Sequence, residues 1–145
     1  MTIIIDANVL IAALIKDGIV RKTIIDHPGE WIVPAAMFDE VWEHRSAWNK
    51  NKLHDKELRD VLNSLIEDFV IVIADSVYHD HASRAKQLVS DIDDWPLIAL
   101  AMSVDNEGIW SFNEKHLSKS KSEGIKIFST SMIVSKVKSE HAPSS

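Results

Sequence analysis

The stretch Thr2-Ile3-Ile4-Ile5-Asp6-Ala7-Asn8-Val9-Leu10 joins an unbroken β-branched run to a helical apolar spacing through a single carboxylate. Consecutive isoleucines read as a strand buried on both faces, the habit of a parallel sheet rather than of an alternating antiparallel one. Asp6 stands where strand gives way to helix, and in an open parallel sheet that edge is where ligands bind. An N-cap would also favour Asp there, so the residue has a structural reading beside the chemical one. Further β-branched runs at Trp31 to Val33, Phe69 to Ile73, Ile109 to Ser111 and Ile125 to Phe128 alternate with longer segments of helical spacing. The alternation predicts an α/β domain with a mostly parallel sheet of about five strands and helices on both faces.

The helical spacing covers Val9 to Ile15, Val20 to Asp26, Ala35 to Trp48, Asp55 to Glu67, Tyr78 to Val89, Pro96 to Asp105 and Thr130 to Lys138. Pro34 and Pro96 read as helix starters. Asn49-Lys50-Asn51-Lys52 reads as a polar break, and residues 141–145 as a disordered tail after one domain over residues 1–140.

With 145 residues, 46% of them apolar, the chain has the size of one globular domain with a sizeable core. It has no cysteine, which excludes a disulfide framework, thiol catalysis and a cysteine zinc site and suits a reducing cytosol. No basic region precedes the short apolar start and no apolar stretch has the length of a bilayer, so a soluble cytoplasmic protein without membrane contact is expected. The formal net charge of -6 argues against binding nucleic acid through bulk basicity. It leaves a nuclease open, because a site that collects carboxylates for a cation is acidic until the ion binds.

Acid-bearing positions recur at the other strand ends. Glu40 lies in the helical segment that opens after Pro34, beside the core stripe of Met37, Val41 and Trp48, with His44 one turn on. Asp91-Ile92-Asp93-Asp94 directly precedes Trp95-Pro96-Leu97-Ile98-Ala99-Leu100-Ala101-Met102. That crowding exceeds what capping requires, since the macrodipole is worth about 0.3 to 1 kcal/mol and like charges oppose one another. Because proline disfavours helical geometry in the preceding residue, Trp95 is the expected cap, with Asp94 just outside it. Finally, Ile109-Trp110-Ser111-Phe112-Asn113-Glu114-Lys115-His116-Leu117 is a short strand ending in polar groups, where Ser111 could hold a water or phosphate oxygen and Asn113 or Glu114 could offer oxygen to a metal. Taken together, oxygen donors without cysteine favour Mg²⁺ or Mn²⁺, whose usual work is to activate water for in-line attack on a phosphodiester.

On these residues the chain resembles the PIN-domain ribonucleases over nearly its whole length. Ile3-Ile4-Ile5-Asp6-Ala7-Asn8 resembles the opening of the family, Glu40 its second acid, and Asp94 with the helix after it the most specific of its motifs, Asp91 and Asp93 being extra acids. At the last motif Asn113 takes the acid position when counted from Ser111, and Glu114 when counted back from Leu117. The resemblance implies a three-layer α/β/α PIN-like domain. It also implies an RNA-cleaving enzyme, most often the VapC-type toxin of a type II toxin-antitoxin pair, forming a homodimer held inactive by a small antitoxin protein. Asp6, Glu40, Asp94 and Asp91 are then the metal-holding residues, with Asn113, Glu114 and Ser111 placing water or phosphate. Lys16, Arg21, Lys22, Arg45, Lys50, Lys52, Lys115 and Lys119 are candidate RNA contacts, and Trp42, Trp48 and Trp95 candidate base-stacking or interface rings. Two rival readings are a catalytically weakened PIN-like binding module, motivated by Asn113, and a phosphate-transfer receiver with Asp75 as acceptor.

Overall fold

A computed structural model describes residues 1–27, 29–50 and 52–140. The expected tail, 141–145, and Asn51 of the polar break lie outside them. The strands are β1 (Thr2–Ile5), β2 (Glu30–Pro34), β3 (Val70–Ile73), β4 (Gly108–Trp110) and β5 (Ile127–Phe128). They form one sheet in the order β3-β2-β1-β4-β5, and every pairing is parallel. β1 lies at its centre, which is why its isoleucines are fully buried. The helices are α1 (Ala7–Ile15), α2 (Ile19–Asp26), α3 (Ala35–Glu43), α4 (Arg45–Trp48), α5 (Asp55–Asp68), α6 (Asp75–Tyr78), α7 (Ala82–Gln87), α8 (Trp95–Ser103) and α9 (Thr130–Glu140).

Strand side chains alternate between two cores. Ile3, Ile5, Trp31, Val33 and Trp110 pack with Leu10 and Leu14 of α1, Leu62 and Leu65 of α5 and Ile133 of α9. Ile4, Ile32 and Ile109 pack on the opposite face with Tyr78, Ala85 and the α8 run from Leu97 to Leu100. The result is the expected three-layer α/β/α fold. Since α8 is apolar nearly all round, it is held as a buried element, and removing a core leucine such as Leu97 should cost about 2–5 kcal/mol. Gly108, at φ +144, opens β4 where a Cβ would come within 2.6 Å of the Lys126 carbonyl, so a side chain there would push β5 away.

Three segments of secondary structure depart from a plain reading of the sequence. The helix expected over Ala35 to Trp48 breaks at His44, whose backbone leaves helical geometry, so His44 ends α3 instead of continuing its face toward Glu40. The segment expected over Tyr78 to Val89 is divided into α6, a 3-10 turn at His79–His81, and α7. Glu114–Glu123, which carries no apolar period, winds into a 3-10 segment closed by Gly124 at φ +80.

Candidate active site

Asp6 extends the β1 ladder by one bond, its N–H donating to the Trp110 carbonyl at 3.0 Å, and its own carbonyl accepts from Val9 and Leu10 to start α1. The side chain turns inward and is 4% exposed. Oδ1 accepts from the Ala7 N–H at 2.6 Å, and Oδ2 accepts from the Ser111 hydroxyl, also at 2.6 Å, across from the end of β4. Ser111 is itself fixed, its Oγ accepting from the Asn113 N–H at 3.0 Å. Burial pushes the Asp6 carboxyl above the ordinary range, and the Ser111 and Ala7 bonds with nearby His116 pull against it. Capping therefore explains where Asp6 sits in the chain, but a cap alone does not require a buried carboxylate tied to a second strand.

Asp94 ends a 3-10 turn, Ile92–Asp94, whose start is held by Asp91 Oδ1 accepting from the Asp93 N–H at 3.1 Å. The cap position differs from the sequence expectation. Trp95 is helical at φ -56 and ψ -35, and Asp94 is the N-cap residue but makes no side-chain cap bond. The turn feeds directly into the helix, and Pro96 falls in the first turn, where an N–H would lack a helical acceptor in any case. The Asp94 carboxyl is pushed up to about 6 by burial first, then by the charges of Asp6 and Asp91, with Asp93 adding and His116 opposing. Asp6, Asp91, Asp93, Asp94 and His116 thus share one electrostatic neighbourhood at the carboxyl ends of β1 and β4.

Glu40 is exposed on α3. The start of α3, where Pro34 offers no capping side chain, is satisfied by the Tyr78 hydroxyl, which accepts from the Ala36 N–H at 3.2 Å and donates to Asp75. Burial and that Asp75 bond push the Tyr78 phenol up to about 12, so it stays a neutral donor. Glu114 is ion-paired with Lys121, while the Asn113 side chain is exposed. Among the described residues no three of the acids and histidines stand close enough to enclose an ion. The structure therefore brings Asp6, Ser111, Asp91 and Asp94 to one edge and does not gather Glu40 or Glu114 into a closed cage with them.

The donor chemistry fits a hard divalent cation. Each Asp6 oxygen accepts one of the bonds described and retains acceptor capacity. The Asp94 charge is opposed by its acidic neighbours. Mg²⁺ characteristically keeps several waters and takes one or two carboxylates plus substrate phosphate, so a complete protein cage is not needed.

Two of the cations expected to meet RNA are engaged in the fold instead. Arg21 donates to the Ala13 and Leu14 carbonyls at 2.6 and 3.0 Å and closes the end of α1. Arg45 makes a two-pronged pair with Asp55 and lies over Trp42. Lys115 and Lys119 remain exposed on the Glu114–Glu123 segment. His116 had no assigned role in the sequence. Only its approach to Asp6 and Asp94 marks it, and that approach depends on an irregular segment whose register no periodicity announces.

Comparison with protein-family models matches residues 4–137 to the PIN domain, and the chain belongs to the PIN-domain family. Its fold is accordingly a nuclease-type fold. PIN domains are generally nucleases that usually use divalent metals, and the family points to RNA as the partner. Comparison with curated proteins gives no match. The family match removes the receiver reading. Asp75, the acceptor in that reading, serves here as the partner of Tyr78. Among the described residues no helix is long and apolar enough to cross a membrane.

Proposed function

We propose that this chain is a metal-dependent endoribonuclease that hydrolyses RNA phosphodiester bonds. The observation that carries the reading is the pair Asp6 and Asp94 at the strand ends, Asp6 buried and bonded to Ser111 and Asp94 crowded by Asp6, Asp91 and Asp93 with His116 in partial opposition. In this reading Asp6, Asp94 and Asp91 hold Mg²⁺ or Mn²⁺, and Glu40 joins them as a ligand or as the acceptor of the attacking water's proton. A bound divalent ion would supply Lewis-acid activation of water and would neutralise charge on the scissile phosphate. Ser111 fixes the rotamer of Asp6 through its hydrogen bond. Asn113 and Glu114 flank that contact and place water or phosphate, and burial of Asp6 limits competing solvent at the edge of the sheet. The VapC-type toxin role, the homodimer, the cytoplasmic setting and the small antitoxin partner rest on family resemblance.

The test is cleavage of a mixed single-stranded RNA with Mg²⁺, with Mn²⁺ and with chelator. Cleavage that needs metal and vanishes in Asp6→Asn and Glu40→Gln supports the reading. Absence of cleavage by folded, partner-free protein in either metal overturns it. One observation favours a weakened binding module as the second reading, namely that Glu114 is tied to Lys121 and leaves uncharged Asn113 at the fourth position. RNA binding without metal-dependent cleavage would support that module.

A further inference from the structure

The three tryptophans singled out for stacking are packed. Trp42 is half-buried with Arg45 and Arg59 over its ring, Trp48 donates its Nε1–H to the Val41 carbonyl at 2.9 Å, and Trp95 lies 6.0 Å from the Tyr78 ring with Lys86 over it. Phe112, at 48% exposure, is the exposed aromatic among the described residues. Its position in the chain is restrained on both sides. Ser111 before it is buried and bonded to Asp6, and the Asn113 N–H after it donates back to the Ser111 hydroxyl, so the backbone carrying the ring is pinned beside the acid pair. A second large apolar side chain, Ile92 at 56% exposure, stands between Asp91 and Asp93 on the other segment that feeds the site. Large exposed apolar groups therefore occur on both of the segments that deliver the acids and Ser111. The segment following Phe112 carries Lys115 and Lys119, which enter no ion pair among the described residues.

We propose that Phe112 is the positioning residue on which an unpaired nucleobase next to the scissile phosphate stacks, with Ile92 extending the apolar rim and Lys115 and Lys119 taking flanking phosphates. The inference rests on the nuclease reading above. Acids that face a phosphodiester bind it poorly by charge alone, so a substrate needs a contact that the acids do not oppose, and a ring face meets every base without regard to sequence. A paired base has both faces occupied by its neighbours and cannot use the ring, so Phe112 would discriminate single strands from duplex. Base stacking on an aromatic is worth about 1–3 kcal/mol, which is roughly 5- to 150-fold in affinity.

The experiment compares kcat and KM of the native chain, Phe112→Ala and Phe112→Trp on one RNA as a single strand and as a duplex, with Mg²⁺, and follows oligomeric state by sedimentation. The expected result is a 5- to 150-fold higher KM for Phe112→Ala on the single strand, collapse of the single-strand preference, and rescue by Phe112→Trp. Metal-dependent cleavage by the native chain with an unchanged KM in Phe112→Ala would overturn the inference and leave the nuclease reading standing. A changed oligomeric state with unchanged KM would assign the ring to a protein contact and overturn it as well. No cleavage by the native chain would overturn the nuclease reading and this inference together.

Discussion

The two ends of the sheet treat their acids differently. At the amino end, Glu107 just before β4 meets Lys136 of α9 at 2.9 Å, and Lys136 also reaches Glu140 at 3.4 Å, so one cation serves two carboxylates. Those contacts, led by the hydrogen bond that Lys136 donates to Glu107, raise the Lys136 ammonium above its ordinary range. At the carboxyl end Asp6, Asp91, Asp93 and Asp94 gather with no lysine or arginine paired to them among the described residues. The same chain pairs acids elsewhere too, as Arg45 with Asp55 and Arg84 with Glu123. Asp94 is thus crowded by Asp6, Asp91 and Asp93 without a paired lysine or arginine where a parallel sheet presents its ligand edge, an arrangement that suits a cation from outside the chain.

The largest effect should come from neutralising the carboxyl end. Asp6→Asn and Asp94→Asn should each lower metal-dependent RNA cleavage on the order of 10⁴-fold, as removal of a single catalytic group does elsewhere, while thermal melting in chelator stays level or rises because a desolvated charge is gone. Variants that melt earlier and still cleave would break the contrast. Ser111→Ala should weaken metal dependence about 10- to 100-fold, the usual cost of losing a group that orients a metal ligand. A titration of cleavage rate against Mg²⁺ reads this directly, and an unchanged half-saturation point would show that the Asp6 rotamer needs no help from Ser111.

Protons and metal should compete at Asp94. With its carboxyl near 6 in the metal-free fold, apparent metal affinity should fall as pH drops through about 6, by about tenfold per unit if one proton is displaced, and excess Mg²⁺ should move the midpoint lower. The stability effect has the opposite sense. The folded state holds the proton more tightly than the unfolded chain, so the Asp94 contribution is full below 3.8 and is lost as pH rises through about 6. Urea titrations in chelator should therefore show native protein losing stability relative to Asp94→Asn across that window. A constant difference would deny the crowding. The smallest effect belongs to the amino end. Lys136→Met should cost less than about 1 kcal/mol, since the side chain is partly exposed, and leave cleavage unchanged.

Much of this contrast could be read in the sequence. Ile3-Ile4-Ile5-Asp6 placed both the central strand and its acid, and the acids before Trp95 were visible as an excess over any capping need. Ser111 was legible because a polar residue ends a strand of buried ones. What the sequence concealed depends on irregular backbone. The break at His44 follows no proline or glycine, and the cap shifted from Trp95 to Asp94 because a 3-10 turn feeds the helix. His116 and Phe112 belong to a polar run whose winding is set by hydrogen bonds such as Asn113 to Ser111 and His116 to Asn113, and neither residue carries a periodic signature. Arg21 and Arg45 looked available to RNA because sequence shows charge but not the carbonyls and carboxylate that engage it.

The most direct measurement is Mn²⁺ binding by the native chain, Asp6→Asn, Asp94→Asn and Lys136→Met, followed by electron paramagnetic resonance of the free ion at pH 7.5. If the carboxyl-end acids form a metal centre, the native chain and Lys136→Met bind Mn²⁺ alike and both aspartate variants lose that binding. Equal Mn²⁺ binding by all four proteins, or none by the native chain, would contradict a metal centre at Asp6 and Asp94.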